Sequence, residues 1–78
     1  MKPIDYTKDD FKKIVNKDIV IEVGPSSNDT VTNKLEGKII KYGLASDFPN
    51  LPVDINFRSL NGEEKYFGIL ELKSINLK

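Results

Sequence analysis

The chain has no cysteine and no histidine. Together these absences close off most of the ways in which a short polypeptide is stapled or made reactive. Without cysteine there is no disulfide. Without either residue, the commonest metal ligands and nucleophile–base pairs are missing. At 78 residues one domain fills the chain, and a core of that size is marginal. Stability must then come from close strand pairing or from a partner subunit. An excess of one charge is lacking too: twelve basic and twelve acidic residues cancel. That argues against a strongly electrostatic nucleic-acid binder but leaves room for a local basic stripe. No apolar run approaches the roughly 20 residues of a membrane span. Met1-Lys2-Pro3-Ile4-Asp5 turns polar too soon for a secretory leader. A cytoplasmic protein with no membrane contact is expected, and in that setting the sequon Asn28-Asp29-Thr30 is read as chance.

What is present begins with a helix signal. Thr7 is a suitable N-cap with Asp10 three residues on, and Tyr6 stands before the cap with Phe11 at the spacing of a hydrophobic staple. Asp9 and Asp10 suit the positive end of the helix dipole. Phe11, Ile14 and Val15 form one apolar face. A helix over residues 7–17 is expected, too short to stand alone and so docked on the strands.

Five strands are expected after it, over residues 18–23, 35–45, 53–60, 64–70 and 74–78. In the first, Ile19, Ile21 and Val23 share a face. Residues 24–34 read as a mobile surface loop opened by Gly24-Pro25. The second strand changes phase: Leu35, Gly37 and Ile39 line one face, then Ile40, Tyr42 and Leu44 take over. A bulge near Ile39-Ile40 reconciles the halves. Val53, Ile55 and Phe57 alternate cleanly with polar residues. At Leu60-Asn61-Gly62-Glu63 two hairpins compete. A three-residue loop with Gly62 left-handed pairs Ser59 with Glu63, Arg58 with Glu64, Ile55 with Phe67 and Val53 with Ile69. It gathers the apolar residues better than a two-residue loop and is the expected register. Leu70-Glu71-Leu72-Lys73 is expected to turn a corner before a last short strand. The fold class that results is mainly β: a short N-terminal helix and a five-stranded, strongly bent antiparallel sheet closing into a small barrel.

Chemistry is harder to find. Asp9-Asp10 and Glu63-Glu64 are adjacent carboxylates, but one pair starts a helix and the other lies in a turn, so capping and solvation are the favoured readings. The spaced acidic loop of a calcium site is absent, and Gly24 and Gly37 stand isolated rather than in a phosphate loop. No enzyme, metal or cofactor is expected. The candidate binding surface is Lys38, Lys41, Tyr42, Arg58 and Tyr66, with Lys65 nearby. These basic and aromatic residues on strand faces are of the kind that stacks single-stranded RNA, weighed against an ordinary solvated face with pairs such as Arg58–Glu64. Phe48, in the loop Ser46-Asp47-Phe48-Pro49-Asn50-Leu51-Pro52, either plugs the end of the barrel, the favoured reading, or projects as a contact residue.

The layout, with Leu35-Glu36-Gly37-Lys38-Ile39 as a glycine between hydrophobics in the second strand, resembles the Sm-like (SH3-like) small barrel. Asp47 and Asn50 sit roughly where that family carries the Asp and Asn of its RNA pocket, although here the spacing is one residue shorter and a proline intervenes. The family's second signature has no counterpart in Leu72-Lys73-Ser74-Ile75. Pro3-Ile4-Asp5 before an early helix, with the closing Leu70, Leu72 and Ile75, is similar to the bacterial Rho-binding antiterminator proteins, which share the barrel. The resemblance implies a bacterial or phage binding module. A protein-binding adaptor or regulator is the leading expectation, with exposed edge strands open to an added strand. An RNA-binding module, as a homo-oligomeric ring, is the alternative.

Overall fold

The computed structural model describes residues 2–28 and 30–78. Met1, at the polar start, and Asp29, within the sequon and the 24–34 loop, lie outside the described residues. Among the described residues the chain forms one α-helix, α1 (Lys8–Ile14), and five strands. These are β1 (Ile19–Val23), β2 (Asn33–Leu44), β3 (Pro52–Ser59), β4 (Glu64–Gly68) and β5 (Leu72–Leu77). Short 3-10 turns at Pro3–Asp5 and Ile69–Glu71 complete it. No helix is long and apolar enough to cross a membrane.

The helix starts as its sequence dictates. Asp10 N–H donates to Thr7 Oγ1 at 3.4 Å and Thr7 N–H donates to Asp10 Oδ2 at 2.8 Å, a reciprocal capping box. Tyr6 and Phe11 pack across the cap with their rings tilted at 49° and centroids 5.0 Å apart. The helix ends three residues before the expected 17. Val15 turns extended and Asn16 is left-handed at φ 65°, a conformation asparagine tolerates. The reason is tertiary: Asn16 N–H donates to the Ile39 carbonyl at 2.8 Å, beyond the last β1–β2 pair, Ile19–Gly37.

All strand pairs are antiparallel, in the order β4-β3-β2-β1-β5. β2 is the long central strand. Ile39 pairs with Phe57 but Lys41 pairs with Asn56, so Ile40 is the extra residue of a bulge and the phase change falls where expected. Gly37 lies against β3 so closely that a Cβ there would run into the Arg58 carbonyl and the Phe57 ring. The hairpin adopts the three-residue form. Ser59 N–H donates to the Glu63 carbonyl at 2.8 Å, Gly62 has φ 88°, and Arg58–Glu64 and Ile55–Phe67 are in register. The expected Val53–Ile69 pair does not form, because β4 stops at Gly68, whose N–H donates to Glu71 Oε1 at 3.0 Å.

The corner therefore lies at Ile69–Glu71, and β5 begins at Leu72, two residues before the expected start. The chain crosses there from one sheet edge, β4, to the other, β5. Among the described residues β4 and β5 share no ladder, so the expected closure is not met and the sheet is open along that seam. One core fills its inner side, built from Phe11 and Ile14 of α1, Ile19, Ile21 and Val23 of β1, Ile39 of β2, Ile55 and Phe57 of β3 and Leu72 of β5.

Candidate binding surface

In an antiparallel ladder directly paired residues share a face, and the register therefore sorts the candidate residues. Lys38, Arg58 and Glu64 form one row across β2, β3 and β4, and Lys41, Asn56 and Tyr66 form the next on the same, outer face. All but Asn56 are exposed, Tyr66 to 77%. This brings together four residues of the expected surface, Lys38, Lys41, Arg58 and Tyr66, but not Tyr42 or Lys65. Tyr42 belongs to the inner row with Ile55 and Phe67, is half-buried, and stacks on Phe11 at a centroid distance of 5.8 Å. The Ile40 bulge turns it inward. It is a core aromatic rather than a surface one. Lys65 pairs with Phe57 and so projects on the side opposite Arg58, reaching solvent at the sheet edge.

The outer face is close to charge-balanced. Arg58 Nη2 lies 3.0 Å from Glu64 Oε2 and Lys38 Nζ 3.9 Å from Asp18 Oδ1. The hydrogen bond from Arg58, a second from Asn56 Nδ2 at 3.3 Å and the charge of Lys41 hold the Glu64 carboxyl below the usual carboxylate range. Asp10 is likewise lowered by its bonds to Thr7, and burial followed by the nearby Asp10 charge raises Tyr6. Both adjacent acid pairs thus have one member engaged in structure.

Asn56 is a residue that sequence reasoning misses. It is 6% exposed on a face that alternation marks as wet, and its Oδ1 has no hydrogen-bond partner among the described residues. The signal is the bulge: with Ile40 inserted, two β2 residues stand against this one β3 residue.

Phe48 departs from the favoured reading as well. It is 66% exposed and plugs nothing; Tyr6, Phe11 and Tyr42 fill that end of the sheet instead. Its loop is nonetheless held in place. Ala45 N–H donates to the Leu51 carbonyl and Leu51 N–H to the Phe48 carbonyl, both at 2.9 Å. Lys8 N–H, in the first turn of α1 and without a partner inside the helix, donates to the Asn50 carbonyl at 3.0 Å. Asp47, Phe48, Pro49, Asn50 and Leu51 line a shallow hollow of about 400 Å³, and Leu51 is exposed beside Phe48. The outcome is two apolar side chains on a fixed loop at one end of the sheet, and a mixed-charge face with one aromatic on its side. No family model, no curated protein and no solved structure matches the chain.

Proposed function

We propose that this chain is a small non-catalytic protein-binding module, an adaptor or regulator, that engages its partner through Phe48 and Leu51. The observation behind this reading is that the loop is tied by three backbone hydrogen bonds while Phe48 keeps two-thirds of its surface in water. Covering a phenylalanine is worth roughly 1.5–3 kcal/mol. A loop already fixed loses little freedom on binding. Aromatic anchors of this sort dominate interface energies. The proposal includes a small barrel of the Sm-like kind, in a bacterial or phage cytoplasm. Its support is that three residues, Ile69–Glu71, span from one sheet edge to the other, so the sheet must curl until its edges approach at that corner.

The test is a photo-reactive phenylalanine analogue placed at position 48 and, as a control, at Lys12 on the exposed side of α1, in the cells that make the protein. A discrete protein adduct from position 48 and none from position 12 is the expected result. The same adducts from both positions, or none from either, would overturn it.

RNA binding is the second reading, favoured by the single row that joins Lys41 and Tyr66. It is the weaker because Glu64 and Asp18 offset Arg58 and Lys38 on that face. A low-salt titration with single-stranded RNA separates the two, since phosphate contacts are strongest there. A solution mass of several subunits carrying nucleic acid would favour the RNA-binding ring over the adaptor.

A further inference from the structure

The hairpin turn holds a chemistry that neither the fold nor the binding reading uses. Of the seven asparagines, only Asn61 precedes a glycine. An asparagine side chain is most open to attack by the following backbone nitrogen when the next residue is glycine, because there is no Cβ to shield that nitrogen or restrict the approach. In the hairpin both reacting groups are engaged. Gly62 N–H donates to the Ser59 carbonyl at 3.0 Å. Asn61 Oδ1 accepts from Glu63 N–H at 3.0 Å and from the Ser59 hydroxyl. The side-chain carbonyl is thus anchored towards Glu63, and the proton that the nitrogen must lose is held by Ser59.

We propose that Asn61 is a conditional self-modification site, locked by the closed β3–β4 hairpin and released when the hairpin opens. In the open state the Gly62 nitrogen gives up its proton to water and bonds to Asn61 Cγ. The Cγ–Nδ2 bond breaks and ammonia leaves with the proton it needs. Water then opens the five-membered imide at either carbonyl, giving aspartate or isoaspartate. Water is the only co-reactant, and nothing is oxidised or reduced.

The two products have different consequences. In the turn the Asn61 side chain acts through Oδ1, as an acceptor from the Ser59 hydroxyl and Glu63 N–H. Aspartate can keep both bonds. Isoaspartate inserts a methylene into the backbone between Ser59 and Glu63, which displaces the Ser59–Glu63 pair and with it the Arg58–Glu64 row. An opening of the hairpin is thereby recorded covalently, at an exposed tip beside a cleft of about 350 Å³ lined by Leu35, Phe57 and Leu60.

The test is ageing of the full chain at mildly alkaline pH, with and without denaturing urea. Peptide mapping tracks the mass gain of about a dalton at each asparagine, and enzymatic methyl transfer tracks isoaspartate. Asn61 is expected to react first in urea and at least about tenfold more slowly in the folded protein. Ser59→Ala, which removes one donor to Oδ1 and keeps the backbone, should fall between. Asn61→Asp should keep the native unfolding midpoint, while aged protein rich in isoaspartate should not. Folded and urea rates within about twofold of each other, another asparagine leading in urea, or Ser59→Ala no faster than the parent would each overturn the proposal.

Discussion

Two rows of side chains cross β2, β3 and β4 one residue apart. The inner row is Tyr42–Ile55–Phe67, in which Ile55 is fully buried and Tyr42 stacks on Phe11. The outer row is Lys41–Asn56–Tyr66, in which Lys41 and Tyr66 are exposed and Asn56 is buried with one bond to Glu64. The rows share the same three strands and lie side by side in one ladder, and what sets them apart for stability is what their side chains touch. The inner row holds the fold by removing apolar surface from water. The outer row adds little stability per residue, because Lys41 and Tyr66 stay in water and Asn56 contributes one hydrogen bond, worth about 1 kcal/mol. It is therefore the row that can change without unfolding the domain.

The largest effect that would break the comparison is on the inner row. Ile55→Ala leaves a cavity at a fully buried position of the core, and should cost about 2–5 kcal/mol in urea unfolding. Its neighbour Asn56→Ala removes one hydrogen bond to Glu64 and also an orphaned acceptor, so its cost should be about 1 kcal/mol. Equal losses at the two positions would show that the faces are not distinct.

Acid sharpens the comparison through Glu64 on the outer face, with a parallel contribution from Asp10 at the start of α1. Glu64 and Asp10 both have lowered pKa values, Glu64 through Arg58, Asn56 and Lys41, Asp10 through Thr7. A carboxyl whose folded pKa lies below its unfolded value contributes stability that is complete above the ordinary carboxylate range. That contribution is lost as pH falls through the lowered value. The urea midpoint should therefore be flat near neutrality and drop on acidification below the usual carboxylate pKa. Glu64→Gln should begin lower at neutral pH and drop less steeply. A parallel acid slope in both proteins would detach Glu64 from the effect.

Where the chain's structure is set by neighbours in sequence, it is legible. The capping box, the Tyr6–Phe11 staple, the Ile40 bulge and the three-residue hairpin each depend on residue types a few positions apart, and each is found. What depends on distant partners is not. The helix stops early because Asn16 meets Ile39, and Pro3, the first residue of the 3-10 turn Pro3–Asp5, is buried in a stretch that reads as polar. Strand count and bending imply a barrel, whereas pairing of the β4 and β5 edges depends on partners far apart in sequence, and β4 ends where Gly68 N–H donates to Glu71. In the candidate surface, alternation places Lys38, Lys41, Arg58 and Tyr66 correctly. Tyr42 is assigned to the surface for its aromatic ring, although the phase change at Ile40, read from the same alternation, already sets it in the apolar row with Leu44. Asn56 is hidden because the same bulge sets two β2 residues against it.

The smallest expected effect on stability falls at Phe48, and it distinguishes a residue that holds the fold from one that serves only contact. Phe11 and Phe48 are both phenylalanines beside the start of α1, yet Phe11 is fully buried and Phe48 is 66% exposed. The bonds that shape the 45–51 loop run through backbone atoms, so they survive truncation of the side chain. Phe48→Ser should leave the urea midpoint within about 0.5 kcal/mol of the parent. A partner that buries the ring, by contrast, should lose affinity by more than about tenfold, the scale of an interface anchor. If Phe48→Ser destabilises the chain as Ile55→Ala does, the ring is part of the core in solution and the contact role fails. If stability is unchanged and binding falls, the ordered loop is the reason this small chain keeps an aromatic ring in water.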